Sequence, residues 1–365
     1  IGVKNAKHES NRRLYSKEED YPTPRTFKEA IDWLNMNRDE DNYFLWIEGF
    51  DPHEPFEVPD DYMRMYNDSY DGLHYDWPNY GPVNVSDKEL DHVRKQYAAT
   101  LTMMDKWFGK LLDTLDENES WEDTMVVFTT DHGFMLGEHG LLGKNYMEAY
   151  NEVFHLPLMI YHPKFSQNTR QVNALTQNID LFPTVLEYHN IQSAKMDAVI
   201  GKSLLPLMSQ ETESIRNAAI YGYFGRNVNV TDGRYTYFRA AESPDNSPLN
   251  LYGSVMTSLW QFFGHGTLKN FEDIEMGRHL SWTNYPVYKI PSQLINVKDP
   301  VQDFCVRNQY NSVNQLFNIA EDYEQLNPLH DREQEARMID LLAGEMKKAG
   351  APKEQYIRLG MNDNV

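Results

Sequence analysis

The run Met125-Val-Val-Phe-Thr129 is short, apolar and rich in β-branched residues, and it breaks off in Thr130-Asp131-His132-Gly133. That pattern predicts a buried strand over 125–129 and a chain break at the glycine. In open α/β sheets, ligands bind in the crevice beyond the carboxyl ends of strands. Asp131 and His132 therefore bring an oxygen and a nitrogen donor to the mouth of such a crevice, a pair that suits a divalent metal ion. The chain continues Phe-Met-Leu-Gly137-Glu138-His139-Gly140-Leu-Leu-Gly143-Lys144, and Lys144 can reach an anion held at the same place. Taken alone, Asp-His-Gly at a strand end is a weak motif, since such a sequence also serves merely to stop a strand.

Length and composition bound what surrounds this motif. At 365 residues, with 41% hydrophobic and 13% aromatic residues, the chain can bury a large core and divide into two unequal domains. The 34 basic and 55 acidic residues leave a net charge of −21, a surface that repels nucleic acid and anionic membranes. Any anion site must then be a local island of lysine, arginine, histidine and metal. The single cysteine, Cys305, excludes an internal disulfide and favours a reducing, cytoplasmic setting. A periplasmic or secreted setting stays open, because a signal peptide would lie upstream. No apolar run approaches the roughly 20 residues needed to span a bilayer.

Along the chain, residues 1 to 24 read as a polar surface segment, Thr26 as the cap of a helix over Phe27 to Leu34, and Asn42 to Gly49 as a strand. Residues 57 to 86 read as a long acidic, aromatic loop carrying Tyr62, Tyr66, Tyr70, Tyr75, Trp77 and Tyr80. Ser86-x-x-Glu89 is a capping box opening a helix through Leu115. Another helix runs from Asp180 to Tyr188. Beyond about residue 213, Ala219 to Tyr223, Asn227 to Ala240 and Gln315 to Ile319 read as an antiparallel sheet with a hairpin at Asp232-Gly233, and Arg332 to Lys348 as an amphipathic helix. The domain division expected is 1–213 and 214–365, with an aromatic insertion near 241–305 that includes Trp260, Phe262, Phe263, Trp282, Tyr285 and Tyr288. His92 and His162 read as ordinary helix-surface and strand-end residues.

The ordered set of motifs resembles the arylsulfatase-like sulfatase family of the alkaline phosphatase superfamily. Asp131-His132-Gly133, Leu136-Gly-Glu-His-Gly140, Lys144 and His155-Leu-Pro157-Leu-Met-Ile-Tyr161 follow its signature in order. Upstream, Tyr43 to Gly49 followed by Asp51-Pro52-His53-Glu-Pro55-Phe56 looks like its strand and P-H-x-P-[FY] element, and Tyr97 to Asp105 with Gly109 like its long helix. Downstream, Asp180-Leu-Phe-Pro183-Thr184, Gly201-Lys-Ser203-Leu and Leu316-Phe-Asn-Ile keep the family order. The resemblance implies an α/β fold with an alkaline-phosphatase-like central sheet flanked by helices, N-terminally truncated here, and a smaller C-terminal domain of antiparallel sheet plus helix.

What the resemblance implies for chemistry is hydrolysis of sulfate esters by a metal-dependent formylglycine mechanism. Asp131 and His132 would be metal ligands, with Ca2+ the first choice and Mn2+ or Mg2+ the alternatives, because His132 adds nitrogen to an otherwise hard oxygen set. His53 and Lys144 would be catalytic, His53 protonating the departing alcohol and Lys144 holding sulfate oxygens. His139 and His155 are further substrate-binding candidates. The family's C/S-x-P-S-R nucleophile is absent from the sequence, and Cys305 has neither its motif nor its position. The chain thus reads as the larger C-terminal part of a longer protein, expected to be inactive alone, whose partners would be the missing N-terminal part and a sulfated small molecule or saccharide. The alternatives are a phosphonate monoester or phosphodiester hydrolase of the same superfamily, and a sulfatase-fold polyanion-binding protein without catalysis.

Overall fold

The computed structural model describes residues 10–73, 75, 77–145, 147–165, 169–192, 199–257, 262–263, 266–295 and 313–361. Cys305 and Trp260, named above, lie outside them. The chain divides into two compact units, residues 1–144 with 157–169, and residues 145–156 with 170–365.

In the first unit, helix α1 (Pro22–Met36) begins with proline at its first position, where the missing N–H costs nothing. Thr26 is therefore not the cap: it lies one turn inside, its hydroxyl donating to the Pro22 carbonyl at 3.1 Å. Phe27, Ala30 and Leu34 recur at helical spacing and bury against Ala99, Met103, Trp107 and Leu111. Helix α2 (Asp60–Met65) is an ordered piece of the expected loop, and buried Tyr62 joins the same core. After β1 (Gly81–Pro82) comes the long helix α3 (Asp87–Glu117), opened by the Ser86/Glu89 capping box as expected. Strands β2 (Val126–Thr129), β3 (Met135–Leu136), β4 (Leu141–Gly143) and β5 (Leu158–Tyr161) complete the unit. β2 pairs antiparallel with β5, and β4 lies between β1 and β3.

Two expectations about strands change. β2 is half-buried along its length rather than buried, and among the described residues β5 is its single strand partner. Residues 42–49 are not a strand: Tyr43, Leu45 and Ile47 pack on the α1/α3 core while Phe44 and Trp46 face outward, 61% and 67% exposed. The period-two alternation of an extended chain is there, but no backbone ladder forms with any described residue, and a strand requires one. His92 and His162 are also more enclosed than expected. His92 stacks on Tyr70 at 4.3 Å with its Nδ1 2.5 Å from Asp68 Oδ2, and His162 stacks on Phe165 at 4.4 Å.

The second unit holds helices α4 (Asn151–Phe154), α5 (Leu181–Tyr188) and α6 (Leu205–Met208), then β6 (Ala219–Gly222), β7 (Val228–Thr231) and β8 (Tyr235–Arg239). Within residues 241–295 three described strands form a sheet of their own, β9 (Asn250–Gly253), β10 (Glu275–Gly277) and β11 (Val287–Pro291) in the order β10-β11-β9. Strand β12 (Gln315–Asn318) closes the order β12-β8-β7-β6, and helices α7 (Arg332–Lys348) and α8 (Lys353–Arg358) follow. Met338, Leu342 and Met346 of α7 pack on Val230, Tyr237 and Leu316 of that sheet. The downstream motifs turn out to be structural. Buried Asp180 accepts from Lys202 N at 2.8 Å and Arg216 Nη2 at 2.5 Å, and the Thr184 hydroxyl accepts from Leu204 N at 2.9 Å. No described helix is long and apolar enough to cross a membrane.

Candidate active site

The register of one small sheet builds half of the site. Gly81 opposes Leu142 across β1 and β4, so the residues just beyond, Tyr80 and Gly143, lie side by side next to Lys144. Gly143 is glycine for a steric reason: its φ is +109°, and a Cβ there would meet the Tyr80 ring at 2.6 Å. Phe134, ahead of β3, meets Tyr80, Tyr97 and Phe56 at ring-centroid distances between 5.6 and 6.3 Å, forming an apolar floor.

The other half comes from the loop after residue 50. Glu54, between His53 and Pro55, is fully buried. Its Oε1 accepts from the Tyr80 hydroxyl, and its Oε2 lies 3.3 Å from Lys144 Nζ and 3.1 Å from His53 Nδ1. His53 Nδ1 is also 2.7 Å from the Glu54 carbonyl. The imidazole packs against Phe50 at 4.5 Å and edge-on to Trp77 at 5.5 Å. Burial pushes the pKa of His53 down, Glu54 opposes that, and the charges of Lys144 and His132 push it further down. Burial likewise lowers Lys144, opposed by Glu54 and Asp131. Burial and then the Glu54 charge raise Tyr80, so the phenol stays a donor.

Asp131 and His132 follow β2 at its carboxyl end. His132 Nε2 is 3.4 Å from Asp131 Oδ2, and the Asp131 side chain is 82% exposed. Donors bound to one ion at about 2.0–2.2 Å stand about 3 Å apart, so this pair converges well enough to share one. His132 Nδ1 lies 2.9 Å from the Gly133 carbonyl; donating there, it leaves the Nε2 lone pair that a metal ligand needs. These residues fit a divalent ion as part of a shell. Among the described residues no group of three or more His, Cys, Asp or Glu gathers to complete it.

His53 thus lies close enough to feel the charges of Lys144 and His132, and Lys144 that of Asp131. His139 takes a left-handed φ of +53° in the turn at 138–140, and exposed His155 belongs to the second unit, its Nδ1 2.8 Å from the Tyr323 hydroxyl. Glu54 and the use of Tyr80 were not foreseen. A glutamate between two prolines carries no sign of burial, and Tyr80 was one aromatic among several in its loop.

The Sulfatase family model matches residues 2–191, just over half of the 365-residue chain. The chain belongs to the sulfatase family. It is 28% identical over 210 residues to the multifunctional alkaline phosphatase superfamily protein PehA of Trinickia caryophylli, a stretch covering 50% of this chain and 40% of that protein. It is 33% identical over 147 residues to an N-acetylglucosamine-6-O-sulfatase of Bacteroides thetaiotaomicron, covering 40% of this chain and 25% of the relative. The matched stretches span less than half of these relatives' own lengths. In three dimensions it is similar to the phosphonate monoester hydrolase of Agrobacterium radiobacter, with a TM-score of 0.58 at 18% identity, over 91% of this chain and 61% of that one. The fold is therefore of the sulfatase and alkaline-phosphatase type.

Proposed function

We propose that the whole protein hydrolyses sulfate esters at the cluster of His53, Lys144, Asp131 and His132, and that this chain supplies the anion-holding and proton-donating side of the site. The observation that carries this reading is Lys144, a lysine only 5% exposed, set beside a half-buried histidine and near an open pair of metal donors. A sulfate monoester presents that site with non-bridging oxygens for Lys144 and a bridging oxygen for His53. When the S–O bond breaks, the bonding pair stays on the bridging oxygen, and protonated His53 gives that oxygen its Nε2 proton so that a neutral alcohol leaves. Lys144 balances the charge on the remaining oxygens in a site where water screens little. Asp131 and His132 would hold a divalent ion, Ca2+ in the first instance, which supplies further charge neutralisation when bound. The nucleophile, a formylglycine by the family resemblance, and the remaining ligands would come from outside this chain, so the chain alone would be inactive.

A sulfated saccharide is the substrate class we favour. Trp77 borders His53 edge-on, and aromatic faces with polar edges suit sugar rings. The test is turnover of an aryl sulfate, a phosphonate monoester and a phosphodiester by the whole protein, side by side. Sulfate should be the best substrate by kcat/KM. A phosphorus ester hydrolysed faster would move the function to the neighbouring branch of the superfamily, and no hydrolysis of any would leave a binding protein.

A further inference from the structure

We propose that Glu54 is a positioning residue: its buried carboxylate anchors Lys144 and, from beside Nδ1, holds His53 in place and favours its charged form. The kinetic consequence rests on the sulfate-ester reading above, but the structural content does not. Glu54 is 0% exposed, and removing a carboxylate from water costs several kcal/mol unless its oxygens are satisfied. Here the Tyr80 hydroxyl donates to Oε1, while Oε2 makes no hydrogen bond and is balanced by charge alone, with Lys144 Nζ at 3.3 Å and His53 Nδ1 at 3.1 Å. Packing alone does not call for this arrangement, because well-packed apolar residues in place of a buried ion pair are often neutral or stabilising.

What the carboxylate adds is direction. His53 Nδ1 is hydrogen-bonded to the Glu54 carbonyl at 2.7 Å, so Nδ1 carries the proton whether the ring is neutral or charged, and the carboxylate oxygen Oε2 lies 3.1 Å from the same nitrogen as its ion-pair partner. Nε2 is then the nitrogen available to a substrate, the same division of labour that a carboxylate imposes on a metal-bound or catalytic histidine. Lys144 is held by the same oxygen, so one side chain sets the spacing between proton donor and anion holder. Glu54 has no exposed surface and does not itself meet substrate.

The experiment is nitrogen-15 NMR of the histidine rings in the full-length protein and in Glu54→Gln, assigned with His53→Ala. In the wild type, neutral His53 should be the Nδ1–H tautomer; the Nε2–H tautomer would overturn the proposal. In Glu54→Gln the His53 titration should move to lower pH by about one unit or more, since the charges that reach it are Glu54, Lys144 and His132 and the attractive one is gone. An unmoved titration would also overturn it. Should Glu54→Gln fail to fold, Glu54→Asp, which withdraws the carboxylate from Nδ1 and Nζ, takes its place, and an unmoved His53 titration there would overturn the proposal. The kinetic arm compares kcat on an unactivated alkyl sulfate: Glu54→Gln should lose about 10–100-fold in an otherwise intact protein and clearly less on a His53→Ala background, the remainder being its effect on Lys144. Equal losses on both backgrounds would mean that Glu54 does not act through His53. If the NMR behaves as expected and no form hydrolyses sulfate, the sulfate-ester reading falls while the positioning role of Glu54 stands.

Discussion

Glu54 and Lys144 lie together almost wholly out of water, whereas Asp131, whose charge reaches Lys144, leaves 82% of its side chain in solvent. The first pair is held by a tyrosine, a histidine and the register of a three-stranded sheet; the second hangs from the end of a strand that has one strand partner among the described residues. The contrast separates two kinds of residue within one site. Buried members are part of the fold and cannot be removed without cost to it, while exposed donors contribute little to folding and matter for what binds them.

The largest expected effect is at the buried end. Lys144→Ala should lower kcat/KM of the whole protein for sulfate esters by about a hundredfold or more, as loss of one oxyanion-type donor does. It should also cost on the order of 3–5 kcal/mol of stability, because Glu54 is left as an uncompensated buried charge. Denaturant unfolding checks the second part, and a variant as stable as the parent would show that the pair is not what holds Glu54. At the exposed end, Asp131→Asn should leave the unfolding midpoint nearly unchanged but strip the divalent ion, measured by elemental analysis of the purified whole protein. Destabilisation without metal loss would reverse the comparison.

His53 lies between the two extremes, half-buried and joined to both. His53→Ala should reduce turnover of alkyl sulfates by about a hundredfold and that of nitrophenyl sulfate far less, because a good leaving group needs no proton. Its pH dependence has a definite sign. With its pKa held below the usual histidine value by burial, the protonated donor is lost as pH rises through a value under about 6.5, so kcat/KM for alkyl sulfates should already be falling at neutral pH. A profile flat from pH 5 to 8 would remove His53 as the proton donor.

The smallest effect concerns Asp51, two residues before His53. Burial raises its carboxyl to about 6, opposed by Thr23. An acid whose folded pKa is raised stabilises the fold fully below its unfolded pKa, near 3.8, and loses that contribution as pH rises through about 6. Asp51→Asn should therefore raise the thermal midpoint at pH 8 and hardly at pH 4. An equal change at both values would mean that the carboxyl ionises freely.

Local rules carried much of this structure. The Ser86 capping box, the Asp232-Gly233 hairpin and the helix over Arg332 to Lys348 were legible because a few adjacent residues decide each of them. Features decided across long sequence separations were not. Residues 42–49 carry strand alternation, yet a ladder depends on a neighbour that local pattern does not specify. The same holds for the burial of His92, which depends on Asp68 and Tyr70, and for Glu54, which depends on Tyr80 and Lys144. In the site, the residues proposed to touch ligand stood in recognisable motifs, whereas the residue proposed to position them stood in the variable place of one.

The central claim is that the buried cluster and the exposed donor pair serve a single sulfate group. Diffraction from crystals of the whole protein, grown with a divalent ion and soaked with a sulfated saccharide, tests it most directly. The account predicts the ion between Asp131 and His132, and a sulfate with one oxygen on Lys144 Nζ and its bridging oxygen near His53 Nε2. A sulfate bound away from Lys144, or an ion held without Asp131 and His132, would contradict it.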